Sequence, residues 1–184
     1  MMKRYPFLLV FLILFFAGCC CYRAPKIVAA PEGSSLKEAR VFQKEKLAKG
    51  GNILVVPFSA GEGVEASDAL DHVSLMIVKG IAETLGPAGK PFKILVEQDA
   101  QSADFVVKGR IMQMEEKSHF HKPWQKKTET FKLAIEGSVL GVEPEEILAK
   151  FSQTKKKESS ENSFQPMGYD LGVEIGRFLL SSAQ

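Results

Sequence analysis

The three cysteines of this 184-residue chain stand side by side at Cys19, Cys20 and Cys21, and their placement constrains the fold more than any other feature. No cysteine follows them, so no internal disulfide can staple whatever folds downstream. Stability must come from a hydrophobic core. Cys20 and Cys21 also lie too close in sequence to cross-link distant segments.

The residues just before the cysteines have a processing pattern. Lys3 and Arg4 open the chain, an apolar run from Pro6 to Phe16 follows, and two small residues, Ala17 and Gly18, precede Cys19. A positive n-region, an apolar h-region and a small-residue cleavage site make a secretory signal. The apolar run falls short of the roughly 20 residues that span a bilayer as a helix. Phe16-Ala17-Gly18-Cys19 resembles the lipobox of bacterial lipoproteins, with Phe16 where Leu is usual. That resemblance implies removal of residues 1–18 and a lipidated Cys19 carrying diacylglycerol and an amide-linked acyl chain such as palmitate. Each buried CH2 contributes about 0.8 kcal/mol, so two or three chains hold firmly. It further implies the periplasmic face of the outer membrane, because Cys20 rather than Asp follows Cys19.

Removing residues 1–18 leaves 166, one ordinary domain plus a tether. Of 24 Lys plus Arg, Lys3 and Arg4 leave with the signal, and the remaining 22 balance 22 Asp plus Glu. A near-neutral body gives no compositional argument for a nucleic-acid partner. Tyr22 to Ser35, with Pro25, Pro31 and Gly33 and no hydrophobic period, reads as a flexible tether. Ser35-Leu36-Lys37-Glu38 resembles a helix start, which predicts a short amphipathic helix over 35–49, stopped by Gly50-Gly51. The organisation expected is therefore a signal at 1–18, a lipidated tether with a short helix at 19–51, and one α/β domain at 52–184.

Within that domain, Ile53 to Phe58 is an unbroken apolar run, as in a strand buried on both faces. Ser67 or Asp68 can cap the next segment, where Leu70, Val73, Ile77, Ile81 and Leu85 recur at helical spacing up to Gly86-Pro87. Pro91 to Val96 reads as a second strand, and a third begins at Ala103 and alternates from Val107. Lys117 to Lys127 is a polar connection, Thr128 to Val142 a fourth strand, and Ile147 to Phe151 opens a fifth. Lys155 to Ser163 reads as solvated. Leu171, Ile175, Phe178 and Leu179 predict a closing helix, in which Gly172 and Gly176 allow close backbone approach. The fold class is an α/β (α+β) sandwich, a mixed sheet of about five strands packed with two main helices.

The segments "NILVVPF", "FKILVEQ" and "ADFVVKGRI", followed by a long hairpin, are similar to small lipoprotein domains of Gram-negative envelopes. These include the penicillin-binding-protein activator lipoproteins, the amino-terminal domain of the Tol translocation protein and the curli-secretion lipoprotein. Ala103 to Ile111 and Gly141 to Leu148 carry the likeness most closely, over roughly residues 52–182. It implies an accessory or binding subunit in envelope assembly, secretion or peptidoglycan synthesis, with an envelope protein as partner.

Catalytic patterns are missing. No G-x-S-x-G turn is present, and no cysteine lies in the domain to serve as nucleophile. His72 reads as a helix-surface residue. His119 and His121 share a face if extended, yet two imidazoles alone do not complete a zinc site. Ser59 to Val64 precedes a helix like a phosphate cradle, but it lacks Gly-Lys-Ser and carries Glu62. The expectation is a non-enzyme with no metal and no cofactor. Lys117, His119, His121, Lys122, Trp124, Lys126 and Lys127 gather cations and the single Trp in one acid-free stretch, 117–127. Such a stretch suits a protein hot spot. The alternative is a carrier that holds a glycan or lipid on the same loop.

Overall fold

The computed structural model describes residues 28–29, 36–87, 91–95, 97–119, 128–143, 145–159 and 164–184. Its strands are β1 (Val28–Ala29), β2 (Glu38–Val41), β3 (Gly51–Val55), β4 (Ser59–Ala60), β5 (Phe92–Leu95), β6 (Phe105–His119), β7 (Thr128–Gly141) and β8 (Glu146–Ser159). Three α-helices accompany them: α1 (Lys44–Lys49), α2 (Asp68–Leu85) and α3 (Phe164–Ser182). The strands form one mixed sheet in the order β1-β2-β8-β7-β6-β3-β5, with β4 added beside β6. β3 runs parallel to both β5 and β6, and β4 parallel to β6, whereas β1, β2, β8, β7 and β6 pair antiparallel in succession.

Helix α2 forms where the apolar spacing places it. The Ser67 side chain accepts from the Leu70 amide at 3.3 Å, and Asp68 and Asp71 lie in the first turn, where the helix dipole favours negative charge. Its buried face is Leu70, Val73, Ile77, Ile81 and Leu85, and α3 contributes Leu171, Ile175, Phe178 and Leu179. The two helices meet backbone to backbone. A methyl at Gly172 would stand 2.2 Å from the Ile77 carbonyl oxygen, and one at Gly80 would stand 2.3 Å from the Tyr169 carbonyl oxygen. The expected close backbone approach is found at Gly172, whereas Gly176 makes room for the Thr84 side chain, 2.6 Å from where its Cβ would stand.

Both long helices lie on one face of the sheet, giving two layers. The core collects Ile53, Val107, Ile111, Phe131, Leu133, Ile135, Val139 and Phe151 from the strands. One cross-strand row of that face reads Gly109, Gly137, Phe151, Ala39. The missing side chains leave room for aromatic rings: a Cβ at Gly109 would meet Phe58 at 2.3 Å, and one at Gly137 would meet Phe151 at 2.4 Å. Phe58, Phe151 and Phe178 then pack in sequence, with ring centroids 6.4 and 6.3 Å apart. At the far end Phe131 and Phe164 meet edge to face at 5.1 Å, pinning the start of α3 to β7.

Several expectations are corrected. Residues 35–49 are not one helix: β2 occupies 38–41, and only Lys44–Lys49 is helical. Ala39 and Val41 are buried while Glu38 and Arg40 are exposed, an alternation of four residues too short to outweigh a helix-start pattern. Leu47, fully buried, ties α1 to the core. Val28 and Ala29, inside the expected tether, pair with Val41 and Arg40. The sheet has eight strands among the described residues rather than about five, because β1, β2 and β4 are too short to leave a pattern. β8 runs on to Ser159 through the stretch expected to be solvated, since β7 pairs with it as far as Glu129. Finally, β3 is not covered on both faces: Ile53 and Val55 are buried, Leu54 is half-buried and Val56 is 37% exposed.

Candidate functional sites

Two surfaces stand out. The first is the hairpin that carries the acid-free stretch. β6 and β7 pair without interruption from Phe105–Gly141 to His119–Thr128, apart from one bulge at Met112. That bulge sits where β4 joins, with the Gly61 amide donating to the Ile111 carbonyl at 2.8 Å. The described ladder ends at the His119–Thr128 pair. Lys117 is exposed and lies 3.4 Å from Glu115, and His119 ends β6. His121, Lys122, Trp124, Lys126 and Lys127 lie outside the described residues, as does Cys19. Glu115 sits below the usual carboxylate range, chiefly because the Gln113 amide donates to it, with the charge of Lys117 adding to the effect.

The second surface is the sheet face that no described helix covers, and sequence reasoning missed it. Register sorts its side chains into three rows. An apolar row runs Leu54, Val106, Leu140, Ile147. Beside it Lys108, Ser138, Lys150 and Arg40 stand opposite one another in turn. A third row holds Arg110, Glu136, Ser152 and Glu38, in which Arg110 pairs with Glu136 at 2.6 Å and the Ser152 hydroxyl donates to Glu38 at 3.2 Å. An open trough of about 1190 Å³ lies over the second and third rows and over the Leu140–Ile147 end of the first. Only Lys108 and Arg110 could have pointed to it from sequence, because Arg40 was expected in a helix and rows exist only once register is known.

The remaining candidates are ordinary surface or turn. His72 is exposed, its Nδ1 2.6 Å from the Asp68 carbonyl oxygen. The loop after β3 forms β4 and a turn at Gly63, where φ is 77°. Among the described residues no three His, Cys, Asp or Glu converge as a metal site would need. No described helix is long and apolar enough to cross a membrane.

Fold and surfaces together define a two-layer α/β domain with one sheet face left uncovered among the described residues. No family model and no curated protein matches the sequence. Solved structures do share the fold. The PelC dodecamer of Paraburkholderia phytofirmans superposes with a TM-score of 0.54 at 15% identity, covering 77% of this chain and 95% of that one. A variant of the same protein gives 0.50 at 16% identity, covering 71% and 89%. A lipoprotein of Neisseria meningitidis overlaps with a TM-score of 0.43 at 11% identity, covering 70% and 97%.

Proposed function

We propose that the chain is a lipid-anchored envelope lipoprotein, held through Cys19 at the periplasmic face of the outer membrane. Its folded body acts as a non-enzymatic binding subunit in envelope assembly, secretion or peptidoglycan synthesis, and it engages a protein partner through the tip of the β6–β7 hairpin. The observation that carries this reading is the length of the β6–β7 ladder, which continues past its one bulge at Met112 to the His119–Thr128 pair. Strands of 15 and 14 residues flank, in sequence, the stretch 117–127 with its four Lys, two His and single Trp. Binding surfaces concentrate their energy in such aromatic and cationic anchors when a firm scaffold presents them. The lipobox pattern supports the anchor, and the fold shared with PelC, a dodecamer, is compatible with a body that works in contact with other proteins.

The test is a triple change, Trp124→Ala with Lys126→Glu and Lys127→Glu. Exposed-loop substitutions usually alter stability by about 0.5 kcal/mol or less, whereas a hot-spot aromatic is worth about 2 kcal/mol or more in binding. Crosslinking in the envelope followed by pull-down should lose the partner while the melting curve stays in place. A sharp fall in melting temperature would instead make Trp124 part of the core and refute the contact surface. Loss of polysaccharide binding that weakens with salt would favour the carrier alternative.

A further inference from the structure

We propose that the bare sheet face binds one acidic phospholipid, its phosphate on the cation row and an acyl chain along the apolar row. The first argument is charge. Lys108, Lys150 and Arg40 share one row, and among the described residues none of the three has an ion-pair partner within reach. Adjacent strands lie about 4.8 Å apart, so the row's cations fall within about 15 Å of one another. Lys150 and Arg40 stand directly opposite, an arrangement that costs stability unless an anion joins them. Of the acids lining the trough, Glu136 is paired with Arg110 and Glu146 with Lys46, whereas Glu38 accepts only from the neutral Ser152 hydroxyl and keeps its charge. Glu145, in the turn before β8, lines the trough as well, so the row's three cations face two acids, Glu38 and Glu145, that form no ion pair among the described residues.

The second argument is the neighbouring row. Ile147 is 43% exposed and Val56 37% exposed, and Leu54, Val106 and Leu140 between them are half-buried. β3 has the composition of a strand covered on both faces, yet helices cover only one. Aliphatic side chains beside cations fit an acyl chain joined to an anionic head. A sugar polymer would need flat aromatic platforms, and of the residues lining the trough only Phe42 and Phe151 are aromatic, the latter turned into the core. The trough is open to solvent, and its exposed apolar side chains are Val56 and Ile147, with Leu140 half-buried between the strands. The reading of Cys19 as an anchor supplies the membrane from which the lipid would come, but binding itself does not depend on that reading or on the hairpin tip.

The experiment uses the full chain in neutral detergent and native mass spectrometry with phosphatidylglycerol, phosphatidylcholine of the same chains, oleate and glycerol phosphate. Retention of phosphatidylglycerol should exceed that of phosphatidylcholine. Lys108→Gln with Lys150→Gln should weaken it by about tenfold or more, as loss of charge-assisted bonds does. Ile147→Asp should weaken it as well, and Lys93→Gln on the far edge strand should leave it unchanged, all with unmoved melting curves. Equal retention of both phospholipids, or indifference to these changes, overturns the proposal. So does retention of oleate or glycerol phosphate without phosphatidylglycerol. Multimers that dissociate on Lys108→Gln with Lys150→Gln, with no lipid held, would give the face to a second copy of the chain and overturn it equally.

Discussion

Gly172→Ala sets two effects of known size against each other. In the middle of α3 alanine is the better helix former by about 1 kcal/mol, so an isolated helix would gain. In this fold the new methyl would stand 2.2 Å from the Ile77 carbonyl oxygen and 2.9 Å from the Gly80 Cα. Non-bonded carbons settle at about 3.5–4.0 Å, so α2 and α3 must part by roughly 1 Å. A gap of that size forfeits about a quarter to a half of each contact's attraction along the seam. The obstacle is backbone on both sides, and no rotamer relieves it. The upper end of the usual overpacking cost, about 3 kcal/mol, therefore applies, and the helix gain leaves a net loss of about 2 kcal/mol. At about 2–4 °C per kcal/mol for a domain of this size, thermal unfolding followed by circular dichroism should show a fall of about 4–8 °C. An unchanged or raised melting temperature would refute the close backbone seam.

Val55→Asp places an unpaired charge on a strand residue that is 9% exposed, and the cost of several kcal/mol rivals a domain's whole stability of about 5–15 kcal/mol. The variant should lack a cooperative melt, and a normal one would contradict the orientation of β3. Cys19→Ser should abolish incorporation of a palmitate analogue, and label persisting while Cys20 is intact would move the lipid site. The Tyr169 hydroxyl donates to Glu83 at 2.7 Å, linking α3 to α2, and this bond chiefly pushes the phenol above its ordinary value of 10.0. Because the folded-state value is the higher one, the link stabilises fully below the unfolded value and is lost as pH rises through the folded one. Glu83→Gln should lower the phenol's titration midpoint in ultraviolet absorbance, and an unmoved midpoint would discount the link.

Long periodic elements were legible in the sequence. Leu70 to Leu85 fixes α2, the Gly172 and Gly176 positions foretell the helix seam, and the alternation from Val107 gives β6 its exposed and buried sides. Short elements were not. β2 offers only four residues, and its Glu38 and Arg40 mimic the polar side of a helix until Gly137 and Phe151 are seen to need Ala39 beside them. The hairpin-tip candidates were read from local composition, which a loop shows directly. The cation row was hidden for a different reason: Arg40, Lys108 and Lys150 come together only through the register of four strands, and no local pattern encodes it.

The pairing of Glu38 with Ser152 joins positions 114 residues apart. A chain delivered amino terminus first must hold β2 without β8, and β3 without β6, until those strands have arrived. Contacts this distant in sequence slow folding, because loop closure comes before any reward from pairing. The β6-β7-β8 meander, built from adjacent segments, should form first and expose the β8 edge as a template. β2 then closes that edge as a late latch. Until it does, another chain's strand can take the same place, so truncation at the amino terminus should show itself less as lost binding than as exchange of strands between molecules.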